Sequence, residues 1–241
     1  MNFVHRYLKK YKIVFQGQKS LKFLKKFSKF SSNPLVTISV ALAINRRLVL
    51  GIISAPCIGK LYAARKNHGA TLNGKPIKVS NCEKLNLAQC ILEFWSCSGK
   101  DHEEKQLYNA KQLISKVHSL RSIGSACLNL AFIAAGNSDI YCQAGIHCWD
   151  VAGMFFEDIF TAVYGHNFLL ILISAFCLQL AGAVIVSEAG GIVLDPSGKE
   201  FDIMSRRILV ASTQKLVDEW KNQIDYQTPK FERDFPEICP M

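Results

Sequence analysis

The spacing of apolar and polar positions changes several times along the chain, and each change marks an element. Val36–Ile44 (VTISVALAI) and Leu48–Ala55 (LVLGIISA) are apolar, β-branched runs separated by Asn45-Arg46-Arg47, which predicts two strands and a turn. Pro56 and Gly59 then act as breakers before a third strand over Gly59–Arg65. Asn73-Gly74, inside ATLNGKPIKVS, is a strong hairpin signal. Ala88–Trp95 (AQCILEFW) predicts another strand. Asp101–Val117 predicts a helix, with acids at its start and Lys111 and Lys116 toward its end, where the helix dipole favours each. Ser122–Ala135 predicts a helix begun through a glycine, Asp139–Gln143 a short strand, and Ile146–Ala152 the start of a second helix. Val184–Leu194 contains the turn Glu188-Ala-Gly-Gly, read as joining two strands, and Asp195-Pro-Ser-Gly is another turn. Ile208–Ala211 predicts a strand, and Thr213–Ile224 an amphipathic helix capped by Ser212 or Thr213. The tail Tyr226–Met241 is rich in proline and charge and reads as loose. Strands and helices in mixed order indicate an α/β or layered α+β fold.

One stretch meets the length criterion for a membrane span. Phe168–Val186 (FLLILISAFCLQLAGAVIV) holds 19 residues without a charge. The competing reading is a buried helix of about 13 residues, broken near Gly182 and running into a buried strand.

Charge alters the picture more than composition does. The 241 residues are 49% apolar and 20% charged, which excludes disordered, collagen-like and disulfide mini-protein classes. The net charge of +10 points at first to an anionic partner. Residues 1–33 carry +9 of it, with no Asp or Glu, and the other 208 residues carry +1. Within 19–30 (KSLKFLKKFSKF), Leu21, Leu24 and Phe27 fall at helical spacing among lysines; this reads as a membrane-surface or nucleic-acid helix, or as an unstructured basic stretch. The nine cysteines form no CxxC pair and no zinc spacing, which suggests a reducing compartment.

Three segments could carry chemistry. Ile146-His147-Cys148-Trp149-Asp150 puts a carboxylate where a helix begins, as a plain cap or as a ligand for a hard cation such as Mg²⁺. Arg121-Ser122-Ile123-Gly124-Ser125-Ala126 sets glycine and small hydroxyls at a helix start, as an anion site or as an ordinary cap with a tight turn. Glu188-Ala-Gly-Gly-Ile-Val-Leu-Asp195 allows unusual backbone conformations, and an architectural role fits it better than catalysis.

Taken together, five blocks resemble the inositol monophosphatase family: Asn2-Phe3-Val4-His5-Arg6, Pro34–Ser80, RSIGSACLN at 121–129, GIHCWDVA at 145–152, and 181–207 (AGAVIVSEAGGIVLD…FDIMSRR). The GIHCWD and FDIMSRR strings are similar to the animal-type members. The resemblance implies a layered αβαβα fold, Mg²⁺-dependent hydrolysis of myo-inositol monophosphates, a cytoplasmic protein and a homodimer. It also implies that Asp150 is a metal ligand at the substrate, that Gly124, Ser125 and Ala126 contact substrate, and that Gln143 stands where relatives often carry a Glu that touches inositol hydroxyls.

Three departures follow from the same comparison. The family's DPIDGTTNF metal motif is represented only by Met1-Asn2-Phe3, so both aspartates and the water-positioning Thr are missing from these 241 residues, and the fold is expected to be incomplete at its N-terminus. Missing N-terminal elements argue against the dimer. Residues 7–33 interrupt the step from NFVHR to Pro-Leu-Val. Removing 153–180 restores WDVAAGAVIVSEAGG. The expected organisation is therefore a remnant of the metal-motif segment at 1–6, a basic insertion at 7–33, a core at 34–225 interrupted by 153–180, and a tail at 226–241. Both insertions read as translated non-coding sequence. The expected partner is a small inositol phosphate, with neither nucleic acid nor a membrane, and the expected activity of the chain as it stands is low. The alternatives are a related sugar or nucleotide bisphosphate phosphatase, and a membrane-associated non-enzyme that uses 168–186.

Overall fold

The computed structural model describes residues 34–44, 47–94, 100–146, 169–174, 179–202 and 205–229. Among these residues, two sheets and four α-helices stack in layers. The first sheet is antiparallel throughout, in the order β5-β4-β3-β2-β1-β9. Its strands are β1 (Ile38–Ile44), β2 (Arg47–Ala55), β3 (Lys60–Arg65), β4 (Ala70–Leu72), β5 (Lys75–Ile77) and β9 (Leu169–Ser174). The second sheet runs β10-β11-β8-β6-β7, with β6 (Gln89–Leu92), β7 (Ser119–Arg121), β8 (Ile140–Ala144), β10 (Ile192–Leu194) and β11 (Arg207–Ala211). Here β6 pairs with β7 and β8 in parallel, while β11 is antiparallel to both its neighbours.

The helices are α1 (Lys100–Ile114), α2 (Ala126–Ala134), α3 (Gln179–Glu188) and α4 (Gln214–Gln223). Between the sheets lie α2 and α3, and one core joins Ile53 and Tyr62 of the first sheet to Leu130 and Ile185 of these helices and to Ile91, Tyr141, Ile208 and Val210 of the second sheet. The opposite face of the second sheet presents Cys90, Leu92, Ile140, Cys142 and Leu209 to Leu113 of α1 and to Leu216 and Trp220 of α4. Alternate residues of β6, β8 and β11 thus enter two different cores, which explains why those strands read as continuous apolar runs. Of the expected αβαβα layers, the described residues form four: sheet, helices, sheet, helices. The class is α/β, as expected.

Most of the expected elements are present. Asn73 and Gly74 both have positive φ, 49° and 79°, as a two-residue hairpin turn requires. The cap of α4 is Thr213, whose hydroxyl accepts from the Leu216 N–H.

Three expectations are corrected. The apolar stretch at 168–186 is neither a span nor a helix followed by a strand. It contains strand β9 first and then most of helix α3, and among the described residues no helix is long and apolar enough to cross a membrane. Gly182 lies inside α3 rather than at a break, so Glu188-Ala-Gly-Gly joins a helix to β10, not two strands. Lastly, the beginning of the loose tail is packed: the Tyr226 ring lies 5.6 Å from that of Trp220, and Gln227 exchanges hydrogen bonds with the Asn109 side chain. Residues 230–241 lie outside the described residues, as do 1–33 and Phe168.

Small residues set the spacing of the middle layer. A Cβ on Gly51 of β2 would fall 2.4 Å from the Ala181 carbonyl oxygen, and one on Gly182 would fall 2.3 Å from Leu130 Cδ1 on α2. Consecutive positions of α3 therefore press against the first sheet on one side and α2 on the other.

Candidate functional site

The parallel trio β7-β6-β8 runs in one direction, so its carboxyl ends open together. Ligands of α/β folds commonly bind at such ends. Glu93 follows β6, Ser122–Gly124 follows β7, and Gln143 is the penultimate residue of β8. The register aligns Ile91 with both Arg121 and Tyr141, which brings these three ends side by side.

Glu93 organises the group. It is 7% exposed, and its carboxylate accepts hydrogen bonds from Ser122 Oγ at 3.0 Å, from the N–H of Ile123 and of Gly124 at 2.9 Å, and from Asn129 Nδ2 of α2 at 2.8 Å. A buried carboxylate is costly unless donors surround it, and this one has four. Gly124 adopts φ 79°, a left-handed conformation that lets consecutive N–H groups converge on one anion. The turn before α2 thus holds an anion that the chain itself supplies, the Glu93 carboxylate. The hydroxyl of Ser125, at the N-cap, makes no cap bond, while its carbonyl accepts from the Asn129 N–H. Both Ser125 and Ala126 are buried, at 8% and 7% exposure.

Gln143 and Glu93 line a small cavity together with His102, Gln106 and Asn109. Gln143 Oε1 accepts from the Tyr141 hydroxyl. Burial pushes the His102 imidazole below its ordinary pKa, and Lys105 and Arg206 act in the same direction against Asp101. The end of β8 is anchored by the residue that leads into its neighbour β11: Gly145 N–H donates to the Arg206 carbonyl, and Arg206 Nη2 donates back to the Gly145 carbonyl. Arg206 holds φ 61°, unusual for a side chain of that size. His147, Cys148, Trp149 and Asp150 follow directly and lie outside the described residues. Of the five expected site residues, Gly124, Ser125, Ala126 and Gln143 thus sit at neighbouring strand ends, and Asp150 comes seven positions after Gln143 in sequence.

Sequence reading missed Glu93. The available signal was a lone acid inside the apolar run Cys90-Ile-Leu-Glu-Phe-Trp95, which marks the point where the strand stops and a polar site begins. Glu188 is architectural, in line with the reading of its turn. Its carboxylate receives the N–H groups of Asn67, His68 and Gly69, and so ties the end of α3 to the β3–β4 turn. Among the described residues no three His, Cys, Asp or Glu side chains come together to hold a metal ion. Magnesium takes about six oxygen ligands, commonly one or two carboxylates with the rest from water and substrate phosphate.

The family model for the inositol monophosphatase family matches residues 1–154 and 179–225. Human inositol monophosphatase 1 is 32% identical over 192 residues, covering 79% of this chain and 59% of that protein. Rat inositol monophosphatase 2 is 33% identical over 76% of this chain and 54% of its own length. The chain thus spans about six tenths of the length of the curated relatives it matches. Among solved structures, an inositol monophosphatase from Anabaena (Nostoc) aligns with a TM-score of 0.63 at 25% identity, over 83% of this chain and 69% of the other. The extragenic suppressor protein suhB from Bartonella henselae shares the fold, with a TM-score of 0.62 at 22% identity over 79% of this chain and 64% of its own. By its sequence and its layered fold, this chain belongs to the inositol monophosphatase family.

Proposed function

We propose that these 241 residues carry the substrate side of a phosphatase for myo-inositol monophosphates, with water as the attacking group and inositol and phosphate as products. Supporting this is one observation: Glu93, Gly124–Ala126 and Gln143 meet at the carboxyl ends of three parallel strands, in a chain of this family. In this reading the start of α2 and the Gln143 amide hold the polyol, and Asp150 is a ligand of the Mg²⁺ that serves the family's chemistry. A metal ion activates water and stabilises the leaving oxygen when bound. Asp150 alone does not make such a site.

The same reading assigns low turnover to the polypeptide as it stands, because the DPIDGT carboxylates are not among its residues. It also treats 153–180 as an insertion, in keeping with a family match that leaves out 155–178. The protein is assigned to the cytoplasm. The test is phosphate release from inositol 1-phosphate with Mg²⁺, beside human inositol monophosphatase 1. Release far below that of the relative is expected, and comparable turnover would refute it. Running the assay on a sugar bisphosphate and a nucleotide bisphosphate separates the sister activities.

A further inference from the structure

We propose that Glu93 is a positioning residue for the substrate: its carboxylate shapes the Ser122–Gly124 turn and makes the start of α2 a seat for hydroxyl groups rather than for phosphate. This rests on the inositol-phosphate reading above.

Helix starts attract anions because their N–H groups point outward along a favourable dipole. In this chain the N–H groups just before α2, on Ile123 and Gly124, already converge on a carboxylate that is 7% exposed. A ligand phosphate beside it would meet a like charge in a poorly solvated place, where repulsion is strong. Uncharged hydroxyls carry no such penalty. Asn129 adds a second hold on the same carboxylate from the first turn of α2, so turn and helix are fixed relative to one another. Glu93 also lines the same small cavity as Gln143, so the carboxylate stands beside both expected polyol contacts. Without its charge the turn has four donors and a weaker acceptor, and the N–H groups swing out of register.

The test uses the isotopically labelled full chain and NMR. Inositol 1-phosphate with Mg²⁺ is expected to shift the Gly124–Ala126 amides of the wild type, and inorganic phosphate is expected to leave Ile123 and Gly124 unmoved. In Glu93→Gln, amide exchange at Ile123 and Gly124 rises and inositol 1-phosphate binds about tenfold more weakly, the scale of one lost bond to a charged group, while β11 amides keep their protection. Unchanged affinity in Glu93→Gln overturns the proposal and leaves the functional reading standing, as does inorganic phosphate that shifts Ile123 and Gly124 in the wild type. A wild type that binds no inositol 1-phosphate overturns the functional reading, and the proposal with it. Should Glu93→Gln fail to fold, Ser122→Ala, an exposed position that loses one bond to the carboxylate, is expected to weaken binding about threefold, and no change there overturns the proposal.

Discussion

Replacing Gly182 by alanine tests the packing that sets the middle layer. In a helix interior this exchange ordinarily stabilises, by about 1 kcal/mol of propensity. Here the new methyl would lie 2.3 Å from Leu130 Cδ1, 2.6 Å from its Cβ and 2.9 Å from its Cγ. Carbon atoms pack at about 3.5–4.0 Å, so more than 1 Å must be found. Rotating the leucine moves Cδ1 and Cγ but not Cβ, which belongs to α2. Helices α2 and α3 must therefore separate, and α3 has little room to retreat, because the Ala181 carbonyl already faces Gly51. Overpacking of this kind costs about 1–3 kcal/mol, which cancels or exceeds the propensity gain and leaves a net loss of about 0–2 kcal/mol. Urea unfolding followed by circular dichroism measures it. Leu130→Ala alone should lose about 2–5 kcal/mol to a cavity. The double variant should lose less than the two single losses added, because the new methyl occupies space the leucine vacates. Strict additivity, or a Gly182→Ala protein more stable than the wild type, would refute the reasoning.

Glu188→Ala removes the acceptor of three backbone N–H groups at a partly solvated position, so a loss of about 1–2 kcal/mol is expected. Hydrogen exchange should quicken at Asn67–Gly69 and stay slow at β11; a uniform change across the molecule would count against a local tie. His102 titrates below its ordinary value because it is buried, so the unfolded chain takes up its proton at a higher pH than the folded one. Stability should therefore be undiminished above the ordinary imidazole range and fall as pH drops below about 6.5 toward the folded value. His102→Gln should flatten the fall in melting temperature between about pH 7 and pH 5, and an equal fall in both proteins would exclude His102 as its source.

Local signals made most of the first sheet and the start of α4 legible: β-branched runs, the Asn73-Gly74 turn and the Thr213 cap each need only neighbours within a few residues. The misreadings arise where distant partners decide. Val184, Ile185 and Val186 favour a strand by propensity, yet they lie in a helix buried between β2 and α2, where tertiary packing overrides that preference. Gly182 looked like a breaker because its reason for being glycine, Leu130, is far off in sequence. Tyr226 sat in a polar tail, and only the fold reveals Trp220 beside it. At the candidate site, sequence found the Gly124 turn and Gln143 but not Glu93, since the meaning of that carboxylate lies in donors about thirty residues downstream.

Strand β9 has a bearing on how the protein behaves at high concentration. Residues 169–174 pair with Ser39–Ile44 along the border of β1. They belong to the stretch whose removal would restore the family's uninterrupted WDVAAGAVIVSEAGG string. A polypeptide joined directly from Ala152 to Ala181 would regain that string and strip β1 of one of its two neighbours, leaving only β2. A bare, apolar strand border recruits whatever extended backbone comes near, including that of another molecule. Continuity of sequence and colloidal solubility therefore pull in opposite directions here, and a chain without 153–180 needs some other strand along β1 to remain dispersed.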